Sequence, residues 1–321
     1  MNAAPTDADK TCLPGKGLIH DNQTGDRNHM TTLLVDRDLC TRCGICSESC
    51  PMGIIAPAGE TTLPLVPEEI SGLCIRCGHC EAYCPSGALV LNVRPGERVL
   101  LPEAAGEIAP EDMTFYLKKR RSVRRFTGEP VPRETIAALL DIAGYAPSGG
   151  NGHPVQWIVV HDRERVGRVA ALTVEWMKSL VGSDHPMSGY VPKLIETYQN
   201  GYDAICCSAP HLLFAHIPKD NPVAQVDAII ALTHFDLAAP AFGVGTCWAG
   251  FVAMAASVYE PLQREIGIPA GRKSAYAMMF GHPQNRVYGI PRRDVPEVTW
   301  IEGRPDHKKM IGMDVQETGR T

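Results

Sequence analysis

Long hydrophobic runs are missing from this chain of 321 residues. No stretch approaches the ~18 consecutive apolar residues of a membrane helix. The opening segment, MNAAPTDADKTCLPGKGLIHDNQTGDRNHM, has no apolar core to serve as a secretory signal. A dominant charge is missing too. Lys and Arg number 31 against 36 Asp and Glu, so the formal net charge of −5 gives no bulk attraction for nucleic acid. There is no G-x-G-x-x-G strand–helix fingerprint to argue for a nicotinamide domain, and no nucleophile–base set is visible. What remains is an ordinary soluble composition, long enough for two domains. A cytoplasmic protein with no nucleic-acid and no membrane partner is the expectation.

The twelve cysteines are not ordinary. Eight fall in two runs, CTRCGICSESCP from Cys40 and CIRCGHCEAYCP from Cys74, in register with a constant offset of 34 residues. Clustered thiols without an export signal read as ligands in a reducing compartment rather than as disulfides. The spacing C-x2-C-x2-C-x3-C-P is the bacterial two-cluster iron–sulfur run. A loop that returns a thiolate every third residue wraps three corners of a cubane. The fourth cysteine, displaced by one residue and turned away by proline, reaches the other cluster. Cys40, Cys43, Cys46 and Cys84 are therefore expected to hold one [4Fe–4S] cluster, and Cys74, Cys77, Cys80 and Cys50 the second. Zinc knuckles are the alternative; they favour separated C-x2-C pairs and often histidine, whereas His79 occupies a spacer position. The run resembles a bacterial-type two-cluster ferredoxin domain over roughly residues 33–95.

Residues 101–114, LPEAAGEIAPEDMT, carry four acids and no base and read as a solvated connector. The character then reverses: six of the eight residues from Lys118 to Arg125 are basic. Three readings stay open here: a nucleic-acid patch, a solvated helix end, or an anion socket. For the last, Arg120, Ser122 and Arg124 alternate and so face one way, and guanidinium forks suit a phosphate.

Beyond this point helices and strands alternate. Pro132 opens a helix with Ile136, Leu139, Leu140 and Ala143 on one face. VQWIVV, PHLLFAHIP and AYAMMFG read as strands, and a helical region starts near Arg163. AQVDAIIALTHFDLAAPAFG reads as one long helix, apolar on most sides and hence central. GVGTCW, taken alone, reads as a packed helix–loop junction. The fold class expected is an α+β sandwich with helices covering a mostly antiparallel or mixed sheet.

Four segments in order, RRSVRRF, YAPSGGNGHPVQW, GVGTCWAGF and FGHPQNRVYGIPRR, resemble the nitroreductase family of flavoproteins over about residues 113–302. The whole chain then looks like a ferredoxin–nitroreductase fusion. Its expected parts are an extension (1–32), a two-cluster domain (33–98), a linker (99–112), an FMN-dependent nitroreductase-like domain (113–305) and a tail (306–321). The resemblance implies a homodimer that binds FMN at its interface. Arg120, Arg121, Ser122 and Arg124 match the positions that hold the FMN phosphate. Pro147, Ser148, Gly149 and Asn151 match the loop that approaches the flavin from the partner subunit. Trp248, Ala249 and Gly250 match the stretch beneath the ring, and Arg292 and Arg293 the late basic position at the phosphate. His153 stands where relatives often carry glutamine, and Gly289 where many fused relatives carry a base.

On this reading the clusters relay single electrons to FMN, which converts between one- and two-electron chemistry. FMN then reduces a small electrophilic acceptor such as a nitroaromatic or quinone. The donor is expected to be a ferredoxin, flavodoxin or reductase. A specific metabolite reductase or dehydrogenase on the same fold, and a non-catalytic electron-transfer or sensing module, are the alternatives. No catalytic side chain is expected. Trp176, Tyr190, Tyr198 and Tyr202 are candidates for a substrate roof, Cys247 and the Cys206–Cys207 pair read as packed thiols, and the scattered histidines as structural.

Overall fold

The computed structural model of the protein describes residues 32–92, 101 and 106–301. The expected extension (Thr32 apart), residues 99, 100 and 102–105 of the linker, the tail and Cys12 lie outside the described residues.

The first unit is small. Strand β1 (Thr32–Val35) is followed by a short helix α1 (Ile45–Glu48), a 3-10 turn (Glu68–Leu73), a second short helix α2 (His79–Ala82) and strand β2 (Leu89–Asn92). β1 and β2 pair antiparallel, Leu33 opposite Leu91 and Val35 opposite Leu89. Its core is a handful of aliphatics, Ile54, Ile55, Leu89 and Leu91, packed with Cys46 and Cys80. So thin a core stabilises little by itself, which suits a domain of this size held by bound groups. The two cysteine runs fold alike. Gly44 and Gly78, at φ 81 and 74, stand immediately before α1 and α2. That left-handed step, open to glycine without strain, turns the chain so that the third cysteine enters on a helix.

The second unit begins earlier than its hydrophobic pattern suggests. Helix α3 (Pro110–Lys119) occupies the end of the expected connector. Pro110 at its first position, Glu111 and Asp112 in the first turn and Lys118 and Lys119 in the last suit the helix dipole. No residue of it is fully buried, and its short stripe of Met113, Tyr116 and Leu117, facing Ile229, Ile230 and Leu237, lies behind the acid-rich start that reads as connector. Then come α4 (Arg133–Gly144), β3 (Gln156–Val160), α5 (Arg163–Lys178), α6 (Val191–Gln199), β4 (His211–Pro218), α7 (Ala224–Ala238), β5 (Gly245–Trp248), α8 (Gly250–Val258), α9 (Glu260–Ile266) and β6 (Arg272–Gly281). The sheet is antiparallel throughout, in the order β3-β4-β6-β5.

Alternation along β4 and β6 builds two cores. Leu212, Phe214, Ala277 and Met279 face α5, α6, α8 and α9. Leu213, Ala215, Ile217, Met278 and Phe280 face α4 and α7. The result is an α+β sandwich with helices on both faces, as the sequence suggests. GVGTCW departs from the junction expected of it: Gly245–Trp248 is an edge strand paired with β6.

The buried histidines are structural. His211 Nε2 accepts from the Val131 N–H at 2.9 Å, and its ring stacks on His161 with centroids 4.3 Å apart. His216 Nδ1 accepts from Arg272 Nε at 2.7 Å. Burial first, then the neighbouring His161 or Arg272, lowers both to about 4.

Candidate functional site

Two cavities in the first unit are each walled by four thiols. One is lined by Cys40, Cys43, Cys46 and Cys84, the other by Cys50, Cys74, Cys77 and Cys80. Each thus takes three cysteines from one run and the last cysteine of the other. The rest of the second cavity is chiefly aliphatic, with Ile54, Ile55, Val66 and Leu91, and His79 on its rim. Among the described residues no three His, Cys, Asp or Glu side chains gather closely enough for a single ion. Four thiols around each cavity, three from one run and the last from the other, suit the two-cluster iron–sulfur pattern better than the separated C-x2-C pairs of a zinc knuckle. A backbone amide also donates to sulfur: Arg76 N lies 3.4 Å from Cys74 Sγ. Burial pushes the Cys80 thiol up to about 11 and raises Cys46. In apolar walls such thiols need a bound cation to ionise, and soft thiolates select iron–sulfur chemistry among metals.

A second locus forms where residues 120–126 run beside β5. Val123 N–H donates to Thr246 C=O at 2.8 Å. A Cβ on Gly245 would lie 2.6 Å from Val123 Cγ2, so only glycine allows this approach. The alternation expected of the basic run is visible. Arg120, Ser122 and Arg124 all lie close enough to Cys247 to favour its thiolate, while burial, the larger effect, holds that thiol up. Arg121 turns the other way and donates to the carbonyls of Lys118 and Lys119 at the end of α3.

Asp236 organises this corner. Buried on α7, it accepts from Thr246 Oγ1 and, at 3.1 Å, from Trp248 Nε1, and it faces Arg120 Nη1 at 3.7 Å. Arg120 Nη1 is itself buried and has no hydrogen-bond partner among the described residues, as a donor awaiting an anion would be. Arg124, Cys207, Trp248, Ala249, Gly250 and Phe251 line an adjoining cavity of about 250 Å³. Ala249 N–H is taken by Ala277 C=O at 2.9 Å, so the expected amide donors of this stretch begin at Gly250, which opens α8.

The loop Pro147–His153 lies elsewhere in the single chain. Gly149 N–H is held by the buried Asp227 of α7 at 2.9 Å. Asn151 reaches the second cysteine run, its Nδ2 3.0 Å from the carbonyl oxygens of both Ile75 and Arg76. Pro147 is exposed, as are Arg292 and Arg293, which make no ion pair with the described residues. Of the roof candidates, Trp176 and Tyr198 pack into the core. Tyr190 faces Phe251 at 6.4 Å, and Tyr202 lies under Arg125 at 5.2 Å. The sequence reading missed Asp227 and Asp236. Their signal was two acids on an otherwise apolar helix, since a buried charge always has a reason.

The nitroreductase family model matches residues 117–282, and the 4Fe-4S dicluster domain model matches residues 39–89. The chain belongs to the nitroreductase family. It is an oxidoreductase with an iron–sulfur domain in front, as the motif order suggests. Among curated relatives, the iodotyrosine deiodinase of Thermotoga neapolitana is 23% identical over 56% of this chain and 92% of its own length. The nitroreductase NfnB of Mycolicibacterium smegmatis is 27% identical over 57% of this chain and 89% of its own. A crystal structure of a nitroreductase with bound FMN from Desulfitobacterium hafniense aligns with 61% of this chain and all of that one, at 23% identity and a TM-score of 0.49.

Proposed function

We propose that this nitroreductase-family enzyme holds two [4Fe–4S] clusters, one on Cys40, Cys43, Cys46 and Cys84 and one on Cys74, Cys77, Cys80 and Cys50. FMN is held by Arg120, Ser122 and Arg124 at its phosphate and by the Trp248–Gly250 stretch at its ring. The clusters supply one-electron steps, and the flavin exchanges one- for two-electron chemistry. The single observation that carries the reading is the pair of crossed thiol cavities joined, through Asn151, to the family's flavin-binding fold.

The side chains bind, orient and exclude water. Arg120 and Arg124 bring fixed positive charge, Arg120 with an unmet donor, and Asp236 holds Arg120 and Trp248 in place. Trp248 stacks edge-on against Tyr276, centroids 5.1 Å apart, which stiffens the floor of the cavity. At about 250 Å³ that cavity falls short of the ~300–1,000 Å³ usual for a ligand site. A second copy of the chain completes it in our reading. In support, α3 and α7 leave an apolar groove of about 660 Å³ lined by Met113, Tyr116, Leu117, Ile229, Ile230 and Leu237. The loop from Pro147 and the arginines 292 and 293 then serve the partner's flavin or close on the phosphate once the dimer forms.

The acceptor is a small electrophile, a nitroaromatic or quinone. A specific aromatic metabolite is the second reading, favoured by relatives named for deiodination of iodotyrosine. The donor is a ferredoxin, flavodoxin or reductase in a reducing, cytoplasmic compartment. Among the described residues no helix is long and apolar enough to cross a membrane.

The test is an anaerobic reductive titration of the purified protein, followed by visible absorbance and electron paramagnetic resonance, with iron, sulfide and flavin quantified. About eight irons and one flavin per chain, the flavin reduced through the clusters, is the expected result. Zinc without iron, or protein that takes up no flavin, overturns it.

A further inference from the structure

Asn151 is held on every polar atom of its side chain. Nδ2 donates to Ile75 O and Arg76 O, both at 3.0 Å, and Oδ1 meets His153 Nε2 at 2.8 Å. The His153 N–H in turn donates to Ser148 Oγ at 3.0 Å, and Gly149 is tied to buried Asp227. The backbone is left-handed at Gly150, Asn151 and His153, with φ 55, 54 and 41. Left-handed non-glycine residues are costly singly, and two within three positions persist only where the surroundings over-determine them. What they produce is an amide fork aimed out of the catalytic domain.

The fork closes on a particular place. Ile75 and Arg76 are the two residues between Cys74 and Cys77, so it grips the turn that carries two of the four thiols of the second cavity. Among the described residues the first run has no such clamp. At the equivalent position the Arg42 guanidinium bonds to the Glu60 carbonyl within its own domain, and Cys43 is exposed.

We infer that Asn151 is a positioning residue that seats the second cysteine loop on the catalytic domain. The second run is then the electron port between the two domains, and the first run faces a one-electron carrier outside. The inference rests on the cofactor reading above. Each crossing oxidises the second-run centre by one electron and reduces the flavin side by one. Two crossings, with protons from water, complete a two-electron reduction, and the outside carrier restores the electrons. The gap must be fixed because small displacements of reacting partners change rates steeply.

The test uses the full-length protein loaded with its cofactors, with Asn151→Asp, Asn151→Ala and His153→Ala variants. Asp keeps the shape and the tolerance of left-handed backbone but turns acceptors toward two carbonyls. Iron and flavin are quantified first. Amide hydrogen exchange across residues 75–78 is then measured, and an electron injected by flash photoreduction is followed as it redistributes between cluster and flavin absorbance. With Asn151→Asp or Asn151→Ala, exchange at 75–78 is expected to rise, and redistribution to slow by at least about tenfold, while iron content stays at the parent level. His153→Ala, which frees the amide to turn, should show the same pattern more weakly. Parent-like exchange and redistribution in all three variants overturn the inference. So does loss of flavin with unchanged exchange, which would assign Asn151 to the flavin alone. Failure of the underlying reading shows separately, as parent protein lacking iron or flavin.

Discussion

Arg42 and Arg76 stand at equivalent points of the two cysteine runs, and both hold left-handed backbone, φ 57 and 55. The glycine two residues on is left-handed in each as well, and a four-residue helix follows in each. Yet one turn is fastened inside its own domain through Glu60, while the other is gripped by Asn151 from the catalytic domain. Near-identical local sequence thus gives near-identical turns, and what distinguishes the two runs is what docks on them. Short-range spacing fixes which thiols can share a cluster; it does not say where that cluster's electrons go.

The largest test of that comparison exchanges the crossing cysteines. Cys50→Ser should lose the cluster of Cys74, Cys77 and Cys80, about four of eight irons, and Cys84→Ser the cluster of Cys40, Cys43 and Cys46. Iron analysis with electron paramagnetic resonance separates the two outcomes. Loss of the cluster in the residue's own run would break the crossed assignment.

A second test asks whether the two domains load their groups independently. Arg120→Ala combined with Arg124→Ala should release flavin while iron stays at the parent level. Stoichiometric flavin in that variant sinks the phosphate socket.

Smaller, and confined to the catalytic domain, is the effect of Asp236→Ala. It strips Trp248 Nε1 and Thr246 Oγ1 of their acceptor and Arg120 of its counter-charge, an expected cost of about 2–3 kcal/mol in urea unfolding. A variant as stable as the parent would deny Asp236 its organising role. The iron–sulfur absorbance should not respond, since among the described residues the partners of Asp236 are Thr246, Trp248 and Arg120, none in a cysteine run.

The last test is of pH dependence, again within the catalytic domain. His211 and His216 are lowered from 6.5 to about 4 by burial, so they are neutral when folded and take up protons more readily when unfolded. Their contribution is intact above pH 6.5 and is lost as pH falls toward 4. Melting of the catalytic domain should therefore drop across that window, and replacing His216 with a neutral residue should flatten part of it. A flat profile in the parent would show that these rings are already charged or exposed.

Much of the fold was legible. β3, β4, α5 and α7 start where the apolar runs and their polar breaks place them, run length rather than period separating strand from helix, though α7 stops at Ala238 before a 3-10 turn at Ala239–Phe242. β5 was not: four residues ending in Trp248 carry too little pattern, and only the β6 partner makes them a strand. α3 escaped because its first turn is acidic and none of its residues is fully buried, so its start reads as solvated connector. In the candidate site, the alternation of Arg120, Ser122 and Arg124 was readable, while the opposite course of Arg121 depends on the helix end it happens to meet.

The sequence by itself determined the two cysteine runs, their matching spacing and the basic run at 118–125, since these follow from covalent spacing and side-chain chemistry over a few residues. Tertiary structure alone decided that Asp236 gathers Arg120, Thr246 and Trp248, and that Asn151 meets Ile75 and Arg76. Those contacts join residues 10 to 116 positions apart, and 75 or more at the clamp. Their existence depends on how two sheet faces and two domains pack, which no local pattern records.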